Sequence, residues 1–238
     1  GSQIAKAMVS GYQGDDLMKN NTILSCVKHF ALYGAPEGGR DYNTVDMSKL
    51  RMFNEYLPPY KAAIDAGTAS VMASFNEIDG IPATGNKWLL TDLLRKQWGF
   101  KGFVVTDYTA IMEMSEHGIG DMQTAAAMAL NAGVEMDMVD NAYVDFLPEL
   151  VKEGKVPMAS IDEAVRRILR VKMKLGLFEN PYVDAEKAAR MTDTAEDREL
   201  AAEAALLTPP DPTKLTLKDT KNFLLIGKTQ KGYDNPKI

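Results

Sequence analysis

The chain has 238 residues, enough for one large domain or two small ones, and its 45% hydrophobic, 25% charged composition is neither disordered nor membrane-like. Its 27 basic against 33 acidic side chains leave a net charge of −6, which argues against a dedicated nucleic-acid binder. The single cysteine, Cys26, excludes an internal disulfide, no Cys/His cluster has zinc-ligand spacing, and no apolar run reaches the roughly 18 residues of a membrane span. No metal, cofactor, nucleic acid or membrane is therefore expected. The opening Gly1-Ser2 has the look of a cleaved-tag remnant, and no signal peptide is visible.

Four short apolar segments read as strands, at residues 23–32, 70–75, 102–108 and 134–139. Between the first two, Leu50, Phe53, Leu57, Tyr60 and Ile64 recur on one helical stripe, which Pro58-Pro59 should break into two pieces before Gly67 stops it. Leu89, Leu90, Leu93 and Leu94 predict a further helix ended by Gly99. Residues 125–132 and 143–152 predict two more, ended by Gly133 and Gly154. Ser160 with Glu163 reads as a capping box opening a helix that carries Ile161, Val165, Ile168 and Leu169 to Gly176. A polar, Ala-rich helix over 192–207, a proline-rich linker at 208–212 and an isolated strand at 222–227 follow. Alternating strands and helices mean right-handed βαβ units around a parallel sheet. About four such units suit an open doubly wound sheet and are half of an eight-stranded barrel.

Asp107 follows the apolar run Phe103-Val104-Val105, at a strand's carboxyl end, where α/β folds present side chains to ligands. A carboxylate there is a nucleophile, a base, a metal ligand or simply the N-cap of the next helix. Lys28 and His29 form a second polar cluster in the first strand. Adjacent strand residues point to opposite faces, so both reach one ligand only if the strand bends or ends there. The Gly-rich loop from Gly34 to Asn43 has neither phosphate-cradle spacing and can instead carry Arg40 and Asp41 to a sugar or carboxylate.

The strings Val27-Lys28-His29-Phe30, Gly38-Gly39-Arg40-Asp41-Tyr42-Asn43, Val71-Met72-Ala73-Ser74-Phe75-Asn76, Gly102-Phe103-Val104-Val105-Thr106-Asp107 and Ala132-Gly133-Val134-Glu135-Met136-Asp137-Met138 together resemble the family 3 glycoside hydrolases. The resemblance is to their bacterial periplasmic β-glucosidase branch and runs from about Ala5 to Tyr182. It implies retaining hydrolysis of terminal β-D-glucosyl residues, with Asp107 as nucleophile and Lys28, His29, Arg40, Asp41 and Phe75 as substrate-binding residues. The acidic residue that orients the lysine in relatives falls on or near Asp41. It further implies a β-glucoside or oligosaccharide substrate and a periplasmic or secreted parent. The implied architecture is a partial (β/α)8 barrel at 3–190, a helix and linker at 191–214, and the start of an α/β-sandwich domain at 215–238. Two sugar contacts of relatives would lie before Gly1, and their acid/base glutamate in the following domain. Glu113, Glu116 and Glu135 read as ordinary helix-face or strand-edge residues. The Asp-His pair of the N-acetylhexosaminidase branch has no counterpart, because Lys28-His29-Phe30 is followed by Ala31-Leu32-Tyr33-Gly34. Half a barrel would expose sheet edges, so self-association, pairing with the missing half or rearrangement into an open sheet is expected. The alternative is a catalytically silent carbohydrate-binding fragment.

Overall fold

The computed structural model describes residues 1–207; the expected linker at 208–212 and strand at 222–227 lie outside them. It opens with α1 (Ser2–Gln13), a helix absent from the sequence-based expectation. Ser10 and Gly11 interrupt its apolar pattern, and no side chain caps it. Its terminal residue acts as a polar pin. Gln13 donates to the Gly67 carbonyl at 2.8 Å and accepts from Ser25 Oγ at 2.7 Å and the Ala69 amide at 3.1 Å. One amide side chain thereby ties the starts of two strands together.

Those strands, β1 (Cys26–Phe30) and β2 (Ser70–Ala73), pair in parallel. After the small antiparallel hairpin β3 (Glu77–Ile78) and β4 (Ile81–Pro82), β5 (Phe103–Val105) pairs with the other edge of β2. Gly102 permits that pairing, because a Cβ there would lie 2.0 Å from the Ala69 carbonyl oxygen. The expected fourth strand is reduced to one parallel rung, Val105 with Met136. Positive φ at Val139 and Asn141 turns the chain away before a ladder can extend. The sheet order is therefore β1, β2, β5 and the Met136 rung, each following the last in chain order.

Helices fill the intervals. α2 (Lys49–Arg51), a wide π-type turn at Met52–Tyr56 and α3 (Leu57–Asp65) run on without the break expected at Pro58-Pro59. Both prolines sit in the first turn of α3, where a missing N–H costs little. Leu57 and Ile64 of the stripe are buried, whereas Leu50 and Phe53 are exposed. The helical segment Trp88–Gln97 buries all four predicted leucines completely, each stabilising by about 1.5–3 kcal/mol. Then come α4 (Ala110–Glu116), the helix for which Asp107 was a candidate N-cap, and α5 (Met122–Ala132), capped by Asp121 on the Thr124 amide and ended by left-handed Gly133. After α6 (Ala142–Lys152), α7 (Met158–Lys174) starts behind Pro157. Ser160 thus lies inside α7 and forms no capping box. Ala164 and Val171 face inward, while Val165 and Leu169 are exposed.

The chain divides into two units, Gly1–Pro181 and Tyr182–Ile238. The described part of the second holds α8 (Ala185–Arg190) and α9 (Ala195–Leu207). α9 opens on a reciprocal cap, Thr194 N donating to Asp197 Oδ2 at 2.9 Å and Asp197 N to Thr194 Oγ1 at 3.2 Å. Among the described residues, no helix is long and apolar enough to cross a membrane, and no group of three His, Cys, Asp or Glu could hold a metal ion.

Candidate active site

The carboxyl ends of the three strands bring the chemistry together. Register slips between Val27 and Phe30, which oppose Val71 and Ala73, so Lys28 and His29 together face only Met72. Such a bulge breaks the strict alternation of faces and re-aims a side chain. His29 Nε2 lies 3.4 Å from Asp107 Oδ2 at the end of β5, with the two side chains 29% and 14% exposed. The contact is long for a hydrogen bond, but reachable from solvent on both sides. Burial lowers the His29 pKa, Lys28 adds to that, and the attraction of Asp107 opposes it. The imidazole is therefore mainly neutral at pH 7.

Asp107 does not cap the helix that follows it. Thr109, the residue before α4, sits in the left-handed region and makes no side-chain cap. The free amides of Ile111 and Met112 are taken instead by Asp140 Oδ2, at 2.9 and 3.2 Å. The Asp107 carboxylate keeps one local bond, Oδ1 accepting from the Tyr108 amide at 2.7 Å, and Oδ2 faces His29. Beneath it, Thr106 Oγ1 accepts from the Met138 amide at 2.9 Å, and the Thr109 amide donates to the Met138 carbonyl at 3.2 Å. The loop bearing Asp107 is thus stitched to the loop after the Met136 rung.

An aromatic wall adjoins this couple. The Tyr33 ring lies 5.3 Å from His29 and 6.1 Å from Phe75, and Phe75 meets Tyr42 edge-on at 4.7 Å. The Tyr33 hydroxyl donates to Asp41 Oδ1. Burial and that carboxylate both push the phenol pKa up. Of the expected site residues, the structure groups Asp107, His29, Phe75 and Asp41 through these contacts. Lys28 and Arg40 are exposed, and neither forms an ion pair or side-chain hydrogen bond among the described residues. Asp41 is held by Tyr33 rather than by Lys28. Lys28 instead borders a cavity of about 680 Å³ with Met8, Tyr12, Cys26, Tyr56 and Tyr60, between α1, α3 and β1; neither Asp107 nor His29 lines it.

Four constellations escaped sequence reasoning. Tyr33 and Asp140 act through partners that only folding supplies. His117 Nδ1 lies 3.0 Å from Glu77 Oε1, whose Oε2 accepts from Thr44 Oγ1 at 2.5 Å, joining β3 to two loops. Glu135, expected at a helix face or strand edge, is buried. Its carboxylate accepts from Arg95 Nη2 at 2.6 and 2.7 Å, Arg167 Nη1 at 2.5 Å and the Val104 amide at 2.6 Å. Burial pushes Arg95 down to about 10 and Glu135 upward, and their mutual attraction opposes both shifts.

A parallel-sheet α/β domain with a carboxylate–imidazole couple and an aromatic wall at its strand ends defines the class. Within it, the chain belongs to glycosyl hydrolase family 3: the model described as "Glycosyl hydrolase family 3 N terminal domain" matches residues 1–171. The chain is 44% identical over 237 residues to the periplasmic beta-glucosidase of Salmonella typhimurium, covering 95% of this chain and 31% of that protein. It is 35% identical to a beta-xylosidase of Formosa agariphila, covering 94% and 32%. The crystal structure of beta-glucosidase from Listeria innocua superposes with a TM-score of 0.83 at 44% identity, over 86% of this chain and 29% of that one. That enzyme has also been solved in complex with glucose. The chain spans about a third of the length of these relatives.

Proposed function

We propose that this chain carries the nucleophile side of a retaining β-glucosidase acting on terminal β-D-glucosyl residues of a glucoside or oligosaccharide. Asp107 attacks the anomeric carbon, forming a covalent glycosyl ester as the aglycone oxygen departs with a proton. Water then cleaves the ester, giving up its proton to the group that first acted as acid. That second carboxyl group, about 5–5.5 Å from the first in retaining enzymes, is assigned to a glutamate of a following domain. Lys28, His29, Arg40 and Asp41 supply donors and acceptors for sugar hydroxyls, and Phe75 offers an apolar face.

One observation carries this reading: the Asp107 carboxylate stands at a strand's carboxyl end, 3.4 Å from His29, while Asp140 takes over the capping of α4. With Oδ1 already on the Tyr108 amide, an Asp107 that capped α4 through Oδ2 would have had no oxygen free of a backbone hydrogen bond.

The reading extends to architecture. Residues 3–190 are assigned to the second half of a (β/α)8 barrel, 191–214 to a helix and linker, and 215–238 to the start of an α/β-sandwich domain. Support comes from strands that succeed one another in chain order, as barrel neighbours do, whereas a doubly wound sheet reverses direction. β1 has no partner on its outer edge among the described residues, and the cavity beside α1 and α3 adjoins it. Pairing with the other barrel half, or with a second copy, would cover both. A periplasmic location is assigned by likeness to the Salmonella protein.

The test is trapping with a 2-deoxy-2-fluoro-β-glucosyl inhibitor and peptide mass spectrometry. An adduct on Asp107 is expected, and none on Asp107→Asn. Sugar binding without any adduct would instead identify a catalytically silent carbohydrate-binding module.

A further inference from the structure

Asp41 lies on a loop whose turn is made by Gly38 and Gly39, both at positive φ. The base of that loop is tied by the Glu37 amide to the Thr44 carbonyl at 2.8 Å and by Asn43 Nδ2 to the Glu37 carbonyl at 2.9 Å. At its far side the one hydrogen-bond partner of the Asp41 carboxylate among the described residues is the Tyr33 hydroxyl. The same phenol ring leans on His29 at 5.3 Å, tilted by 56°, and on Phe75 at 6.1 Å, tilted by 51°. Three groups from three segments therefore share a single neighbour: an imidazole on β1, a carboxylate on the loop, and an aromatic ring past the end of β2. The backbone is spent on this placement. Leu32, just before Tyr33, is fully buried and held at φ 69°, a left-handed conformation that costs a branched residue on the order of 1 kcal/mol.

We propose that Tyr33 is the positioning residue of the sugar-binding side, setting the spacing between His29 and Asp41 and so the pattern of hydroxyls the site accepts. The inference deepens the glycosidase reading and rests on it for the identity of the ligand. With Oδ1 occupied by the phenol, the second oxygen of Asp41 has no hydrogen-bond partner among the described residues and is left to accept from a sugar hydroxyl. Tyr33 touches His29, which touches Asp107, but the phenol has no role in bond making; it acts through its neighbours.

Two substitutions separate its functions. Tyr33→Phe keeps both ring contacts and deletes the tether on Asp41. Binding should weaken roughly ten- to a hundredfold, the worth of one hydrogen bond to a charged group, seen as a rise in KM for an aryl β-glucoside with kcat changed less than about twofold. Tyr33→Leu also removes the ring from His29 and should lower kcat as well. A mere stabilising role would instead lower the melting temperature of Tyr33→Phe and leave the KM of the folded enzyme unchanged. In a double-mutant cycle with Asp41→Asn, the two losses should fail to add. Calorimetric glucose binding by the same variants gives a readout independent of turnover. An unlabelled wild type whose glucose affinity still drops in Tyr33→Phe would overturn the hydrolase reading and keep the positioning role. A labelled wild type with unchanged KM in Tyr33→Phe, or with additive losses in the cycle, would overturn the positioning role alone. A wild type that is neither labelled nor binds glucose would overturn both.

Discussion

Replacing Glu135 by glutamine tests how much stability passes through one buried carboxylate. Its side chain is 2% exposed and faces Arg95, 9% exposed, and Arg167, 23% exposed. The substitution preserves shape but turns one accepting oxygen into a donor against two guanidinium groups. Removing one partner of a buried ion pair costs about 3–5 kcal/mol, because the remaining charge stays desolvated. Here the lower end applies: Arg167 reaches solvent and keeps Glu163 Oε1 at 3.0 Å, so only Arg95 is left stranded. A loss of about 3 kcal/mol is expected. For a protein of this size that is a drop in Tm of roughly 6–12 °C. Urea titration followed by circular dichroism should show a lower midpoint with the slope m unchanged. Glu135 also holds the Val104 amide within β5. By contrast Asp107→Asn, which touches none of these groups, should leave the midpoint nearly where it was. A Glu135→Gln variant less than about 1 kcal/mol below wild type would refute the claim that Arg95 depends on this carboxylate.

Four further outcomes follow from the same geometry. Gly102→Ala should be destabilising by several kcal/mol and yield little soluble protein, since its Cβ would lie 2.0 Å from the Ala69 oxygen and β2 and β5 would have to separate; a normal melting curve would contradict this. Asp140→Ala removes the cap of α4 and should cost about 1 kcal/mol in thermal stability, while slowing inhibitor labelling because the segment after Asp107 loosens. Asp107→Asn should lower kcat for aryl β-glucosides by at least about 10³-fold, measured by released nitrophenol. The pH dependence of stability has a definite sign. His29 resists protonation when folded, so the unfolded chain takes up that proton first as pH falls below about 6.5. Urea midpoints should therefore decline from pH 7.5 to 5.5, and His29→Gln should decline less; equal slopes would count against a half-buried, neutral imidazole.

The parts of this fold that announce themselves locally were legible. Apolar triplets such as Phe103-Val104-Val105 marked strands, and Gly67, Gly99, Gly133, Gly154 and Gly176 all ended helices at positive φ. Asp107 stood out because a carboxylate after an apolar strand needs a reason. What stayed hidden depends on partners distant in sequence. Glu135 looks like a surface residue until Arg95 and Arg167, 40 and 32 positions away, close around it. The fourth strand was overestimated because Val-Glu-Met-Asp-Met alternates like a ladder, whereas left-handed Val139 and Asn141 allow only one rung. The proline pair was overweighted, since the rule against proline applies to helix interiors and the π-type turn before it made residue 58 a fresh beginning. Resemblance located Lys28 and Arg40, yet among the described residues their side chains form no ion pair or hydrogen bond that would have singled them out.

The acid that closes α4 comes from the loop beyond the next strand position, and the same two loops are sewn together through Thr106 and Met138. Neither stretch can be exchanged by itself. A chimera that imports one relative's residues around Asp107 must also import the turn containing Asp140, and lineages that diversify the rim here should change both together, as a single inherited cassette.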